Sequence, residues 1–242
     1  MRADRRVAIL GYHKVGVSPG EWESWYYVPH PLLAEHVHAL TSEGWEPISV
    51  HDLLRGLTQP GSLPERSFLI TFDDAYKSLT TEALPWLEAK RLPAVVFVPT
   101  QFVAAMNEFD RDVEPEEAIC SWEDLRRLQA GGISIQSHAA SHRAFSELTA
   151  EEQVAELRDS KDAIEASLGE TVALFSFPYG DPGQDAQATA TRLEEAGYEA
   201  AFCYGGGILR LPVTDRFLLP RIAVGPDSDL RSEIRDSHDR PT

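Results

Sequence analysis

The sequence is short of sulfur, of cationic charge and of long apolar runs. Cys120 and Cys203 are its only two cysteines in 242 residues. Two distant thiols make neither a disulfide framework nor a metal-ligand pair of familiar spacing, so both are expected to be reduced and structural. Lys and Arg number 22 against 39 Asp and Glu, a formal net charge of -17. That balance argues against a nucleic-acid surface and against docking on anionic lipid. Met1 to Arg6 lead into only Val7-Ala8-Ile9-Leu10, too short an apolar run for a signal peptide. No stretch approaches the length of a membrane span. The expected location is therefore the cytoplasm.

What is there is ordinary for a soluble α/β protein: 43% hydrophobic and 25% charged residues. We read 1–242 as one domain with a polar tail at 236–242. Strands are expected at Val7–Tyr12, Ser67–Phe72, Ala94–Val98, Ile133–Gln136, Val172–Phe177, Tyr198–Cys203 and Leu218–Val224, with Trp45–Val50 extended. Helices are expected at Pro31–Glu43, His51–Leu57, Thr80–Lys90, from Ser121, over Thr149–Leu168 and over Asp185–Ala196. Gln101–Ile119 is acidic and irregular and is expected to cover the mouth as a loop. Such alternation of strand and helix predicts a parallel sheet. The residues with chemical potential follow several different strands, which favours a distorted (β/α) barrel over an open sheet with one crevice.

Two acids end the strand Ser67–Phe72: Asp73 and Asp74. A helix cap explains one acid there but not two. Neighbouring carboxylates repel, so both stay ionised only beside something cationic. His138 and His142, three residues apart, let two imidazoles face one ion. Ser137 and Ser141 are placed to orient those rings by hydrogen bonds. Asp74, His138 and His142 then form a divalent-metal site with an open position, and Asp73 is free to act as a base. Phe177-Pro178-Tyr179-Gly180 is a tight turn of the kind that aims a backbone N–H at an oxyanion.

These motifs resemble the NodB-homology polysaccharide deacetylases, carbohydrate esterase family 4. The resemblance rests on Thr71-Phe72-Asp73-Asp74, the pair His138 and His142, and Pro178-Tyr179-Gly180, in that order. It implies a NodB-type (β/α) barrel and metal-dependent removal of N-acetyl groups, usually with Zn2+. It assigns Asp73 as base, Asp74, His138 and His142 as ligands, and the Tyr179 N–H as oxyanion donor. Ala75 stands where the family carries glycine, and Ser176 where it carries arginine. Arg221 is the candidate to tether Asp73 instead. The C-terminal histidine motif is missing, and His238 sits in the polar tail. Tyr12-His13 is similar to the poly-β-1,6-N-acetylglucosamine deacetylase branch, which implies His13 as general acid. The implied partner is an N-acetylated carbohydrate or glycoconjugate. A deacylase of a small non-carbohydrate amide, a non-catalytic carbohydrate-binding relative and a two-histidine, one-carboxylate iron oxygenase are the alternatives.

Overall fold

Seven apolar runs become seven parallel strands in the computed structural model, which describes residues 5–236. They are β1 (Arg5–Tyr12), β2 (Arg66–Phe72), β3 (Ala94–Val98), β4 (Ile133–Ser137), β5 (Leu174–Ser176), β6 (Ala200–Gly206) and β7 (Leu219–Ala223). Each pairs with its sequence neighbour, and β7 pairs back onto β1, so the sheet closes into a barrel. The closure is uneven. β4 and β5 share one register pair, Ser137 with Phe175, and the β6–β7 register shifts between Leu219 and Arg221.

The two-residue period of a strand separates two cores. Ala8, Leu10 and Tyr12 of β1, with Phe68, Ile70 and Phe72 of β2, belong to the layer under the helices. Val7, Ile9 and Leu69 belong to the barrel interior, with Val95, Phe97, Leu174, Phe202 and Leu219. Each such aliphatic side chain contributes about 1.5–3 kcal/mol by burial. Ile48, Leu53, Leu63, Leu209 and Leu211 join the interior cluster and seal its N-terminal end. Leu209–Leu211 does so as a short strand antiparallel to the start of β1. Towards the strand C-termini the interior turns polar: Thr71, Gln136, Ser176 and Arg221 are all buried.

The helices are α1 (His30–Ser42), α2 (Val50–Thr58), α3 (Leu84–Lys90), α4 (Trp122–Ala130), α5 (Ala150–Leu168), α6 (Ala186–Glu195) and α7 (Leu230–Asp236). Ser49, Ser121 and Thr149 open α2, α4 and α5 with reciprocal capping boxes to Asp52, Asp124 and Glu152. Gly169 ends α5 at φ 70°, the left-handed turn that glycine takes without steric cost. The segment expected as one helix over Thr80–Lys90 instead begins as a π turn, Leu79–Ala83, before α3. Pro85 has no N–H to donate and crowds the preceding turn, so the spiral widens ahead of it. Only Glu46–Pro47 of the extended Trp45–Val50 is paired, because Ser49 already serves as the cap of α2. The pairing of Lys14–Val15 with Tyr27–Val28 has no sequence signal, since each strand is only two residues long and one begins with a charged lysine. The polar tail beyond Asp236, with His238, lies outside the described residues.

Candidate metal centre

Strand parity and backbone strain together build the acidic half of the site. Leu69 faces the barrel interior, so Thr71 and Asp73 follow on the same side. Asp74 would fall on the opposite side. It does not, because the chain turns left-handed at Asp74 (φ 67°) and Ala75 (φ 55°). Ala75 thus adopts a conformation that suits glycine, at a cost of about 1–2 kcal/mol. Both carboxylates enter one cleft.

His138 follows β4 on the inward side. Its Nδ1 lies 2.7 Å from the Ser176 carbonyl, which leaves Nε2 3.4 Å from Asp74 Oδ1. His142 Nε2 lies 3.1 Å from the same oxygen. Left-handed residues again make the turn, at Ala139 (φ 64°) and His142 (φ 59°). Ser137 and Ser141 do not orient the rings as expected. Ser137 Oγ bonds to Ser160 Oγ at 2.7 Å, and Ser141 Oγ donates to Glu156 at 2.5 Å. Both hydroxyls point into α5 and hold the loop rather than the imidazoles. Glu156 also accepts the N–H groups of Ala140 and Ser141, at 2.7 and 2.8 Å. From the other side, Thr100 and Gln101 donate to the Ala139 and Ala140 carbonyls. Glu156 therefore shapes the loop that carries both histidines. Nothing in the sequence singled it out among the acids of an amphipathic helix.

Asp73 is gripped from across the barrel. Arg221, fully buried, donates from Nη1 to Oδ1 at 2.8 Å and from Nη2 to Oδ2 at 2.6 Å. Its remaining donors reach Thr71 Oγ1, Ser176 Oγ and the Cys203 carbonyl. Burial pushes the Asp73 carboxyl up, but Arg221, with His138 and His13, outweighs it and holds the pKa below the usual carboxylate range. Asp74 is held well below that range: burial raises it, and His142 and His138 prevail. For His138, burial lowers the imidazolium pKa, but Asp73 and Asp74 win and raise it.

The cleft has a volume of about 220 Å³ and opens at the C-terminal end of the barrel. His13 stands on its far wall, with Nε2 3.9 Å from Asp74 Oδ2. The ring packs against Tyr26 at 4.6 Å and edge-on to Tyr204 at 5.2 Å. Burial lowers its pKa over the raising pull of Asp74 and Asp73. Tyr179 sits at the rim, left-handed at φ 57°, its ring 4.8 Å from that of His142. Gly180, at φ 68°, leaves room for β6: a Cβ there would lie 2.5 Å from the Tyr204 nitrogen. The structure thus gathers His13, Asp73, Asp74, His138, His142 and Tyr179 around one cavity, with Arg221 directly beneath. The 101–119 loop contributes Asp110, Val113 and Glu114 to the wall. Sequence reading placed that loop at the mouth but named none of these residues.

The donors fit a divalent ion. One ligand atom from each of Asp74, His138 and His142 lies within 4.8 Å of the others, all three residues being buried. Asp74 Oδ1 and His142 Nδ1 are buried with no hydrogen bond among the described residues, although two imidazoles crowd the carboxylate. A cation bound by Asp74 Oδ1 and the two Nε2 atoms would satisfy the orphaned carboxylate oxygen, though not His142 Nδ1, and one carboxylate with two imidazoles suits zinc. The same donors serve iron oxygenases, which usually sit on jelly rolls; this is a parallel barrel.

Comparison with known proteins agrees with the fold. The structure superposes on the Streptococcus pyogenes deacetylase PplD, solved in complex with acetate, with a TM-score of 0.81 at 20% identity, covering 97% of this chain and 99% of that one. It superposes on IcaB from Ammonifex degensii with a TM-score of 0.79 at 21% identity, over 95% and 96% of the two chains. Among curated sequences, the putative polysaccharide deacetylase YxkH of Bacillus subtilis is 24% identical over 194 residues, 80% of this chain and 63% of the relative. The poly-beta-1,6-N-acetyl-D-glucosamine N-deacetylase of Escherichia coli K12 is 23% identical over 231 residues, 82% of this chain but 34% of that longer protein. This chain thus spans less than two thirds of either curated relative. The polysaccharide deacetylase family profile matches residues 61–201, a stretch that holds Asp73, Asp74, both histidines and Tyr179, and the chain belongs to that family.

Proposed function

We propose that this protein is a metal-dependent hydrolase that removes the acetyl group from the nitrogen of an N-acetylated sugar in a glycan. One observation carries the reading: a buried Asp74-His138-His142 cluster beside a carboxylate, Asp73, that is off the cluster and paired to Arg221. Binding alone needs no such base. A divalent ion held by the cluster supplies Lewis acidity to the acetyl carbonyl and lowers the pKa of the attacking water.

The protein's own groups do the rest. Asp73 accepts the proton of the attacking water. Arg221 keeps that carboxylate ionised and fixes its direction. The Tyr179 N–H donates to the oxyanion as the carbonyl becomes tetrahedral. As the C–N bond breaks, His13 gives its proton to the departing nitrogen. Its lowered pKa makes its imidazolium a stronger donor, though a smaller fraction is charged at neutral pH. Acetate and a free amine leave.

The test is acetate release from N-acetylated oligosaccharides by the metal-loaded protein, with chelated protein and Asp73→Asn as controls. Release that depends on metal and falls by a factor of about 10²–10⁴ in the variant supports the assignment. Equal release by Asp73→Asn refutes Asp73 as the base.

A further inference from the structure

Lys14 is a wholly buried cation that the reaction does not use. It directly follows His13, and its ammonium lies between two phenol rings, 4.8 Å from the centroid of Tyr27 and 4.7 Å from that of Tyr76. Its Nζ donates to Glu114 Oε2 at 2.6 Å, 100 residues along the chain. Ser24 Oγ donates to the same oxygen at 2.6 Å. Glu114 is itself buried and stands on the mouth loop, in the cleft wall. Aromatic faces attract an ammonium but do not replace a counter-ion. A buried pair adds little net stability over apolar packing, whereas parting it leaves a buried charge uncompensated. What the pair enforces is geometry: the loop tip cannot leave without stranding Lys14.

The two phenols that flank Lys14 bond the same loop. The Tyr27 hydroxyl donates to Glu117, and the Tyr76 hydroxyl donates to Asp110 at 3.3 Å. Of these three ties, only Lys14 with Glu114 joins two charges. Lys14 also reaches the opposite wall through its backbone. Its N–H donates to the Tyr26 carbonyl at 3.1 Å, and the Tyr26 ring packs on His13 at 4.6 Å.

The loop so held bears on the ion site. Phe109 lays its ring on that of His142, with centroids 4.1 Å apart and planes 34° apart. Phe102 backs Phe109 edge-on at 4.9 Å. The position of a metal-ligating ring therefore depends on a loop whose tip is anchored at Lys14.

We propose that Lys14 is a positioning residue: paired with Glu114, it fastens the tip of the mouth loop to the segment after β1 and thereby presses Phe109 onto His142, keeping that ligand aimed at the ion site. The proposal rests on the deacetylase reading above only for its effect on rate. Loop opening and ion affinity are read without it.

The experiment compares wild-type protein with Lys14→Met, with the double variant Lys14→Met and Glu114→Gln, and with Phe109→Ala. The readouts are urea unfolding, hydrogen exchange of the 104–119 amides, and zinc affinity by calorimetric titration. Lys14→Met alone strands Glu114 and is vulnerable to misfolding, so the double variant, which strands no charge, carries the test. Its unfolding stability stays close to that of wild type. Its loop amides exchange about tenfold faster or more, because opening no longer costs an unpaired charge. Zinc binds it about tenfold more weakly, the size of effect expected when a ligand loses its support. Phe109→Ala weakens zinc binding to a similar degree. At limiting zinc, acetate release by both variants falls with the affinity, and excess zinc restores it. A pair that serves stability alone leaves loop exchange and zinc affinity unchanged in the double variant, and that result overturns the proposal, as does faster exchange spread evenly over the chain. Phe109→Ala that binds zinc as tightly as wild type also overturns it. Should wild-type protein release acetate from no N-acetylated sugar, the deacetylase reading falls instead, and loop exchange and zinc affinity still decide the role of Lys14.

Discussion

Arg221 and Asp73 lie 148 residues apart, yet each oxygen of Asp73 accepts one guanidinium N–H, at 2.8 and 2.6 Å, with the arginine wholly buried. Removing the guanidinium strands a buried carboxylate. We predict that Arg221→Met loses about 3–5 kcal/mol of stability in urea unfolding. With the largest opposing group gone, and only His138 and His13 left to offset burial, the Asp73 pKa rises, so the acid limb of the kcat/KM profile moves to higher pH. Asp73→Asn with Arg221→Met recovers most of the stability but no activity. In the intact pair the depressed Asp73 pKa contributes stability that is present above about pH 4 and is lost as pH falls through the folded value.

The three-residue cluster predicts linkage between metal and stability. Added zinc at one hundred times its dissociation constant raises unfolding stability by about 2.7 kcal/mol, and a chelator reverses this. His142→Ala abolishes the increment, because Asp74 and His138 alone are a poor site. Thermal melts with and without metal read this directly.

Glu156 lies outside the Asp74-His138-His142 cluster but accepts two backbone N–H groups and a hydroxyl from the loop between His138 and His142. Glu156→Ala is expected to lower metal affinity by about 10–100-fold while costing about 1–3 kcal/mol in stability. Calorimetric titration of zinc separates the two. Glu156→Gln retains one acceptor and falls between.

Asp110 on the mouth loop is pushed up to about 6 by burial, with Asp74 adding to it. Between about pH 4 and 6 the unfolded chain has already lost this proton and the folded protein keeps it. Stability of the chelated protein therefore falls as pH rises through that window and stays lower above it. Asp110→Asn flattens the slope and gains about 1–2 kcal/mol at pH 7, discounted from the full shift for partial exposure. Urea midpoints at pH 4, 5, 6 and 7 check it.

Local chemistry made much of this legible. The apolar runs that became β1, β2, β3 and β4 were short and continuous, and Pro93, Pro99 and Gly131-Gly132 bounded the last two. The capping boxes at Ser121 and Thr149 announced α4 and α5. Asp73-Asp74 with His138 and His142 announced the cluster that the structure brings together. Where reading failed, a nonlocal partner decided: Leu209–Leu211 is a strand only because β1 offers an edge, and Ser141 bonds Glu156 rather than a ring because α5 passes beneath it.

The sequence by itself determined the residue types of the site and their order, because ligand chemistry and strand periodicity act over a few positions. Closure of the barrel decided the rest. It brought Arg221 of the last strand under Asp73 of the second, set His13 opposite Asp74, and laid Lys14 against Glu114. Those distances belong to no segment. They arise because a sheet that closes on itself lays the ends of seven strands around one opening, which no pattern along the chain can specify.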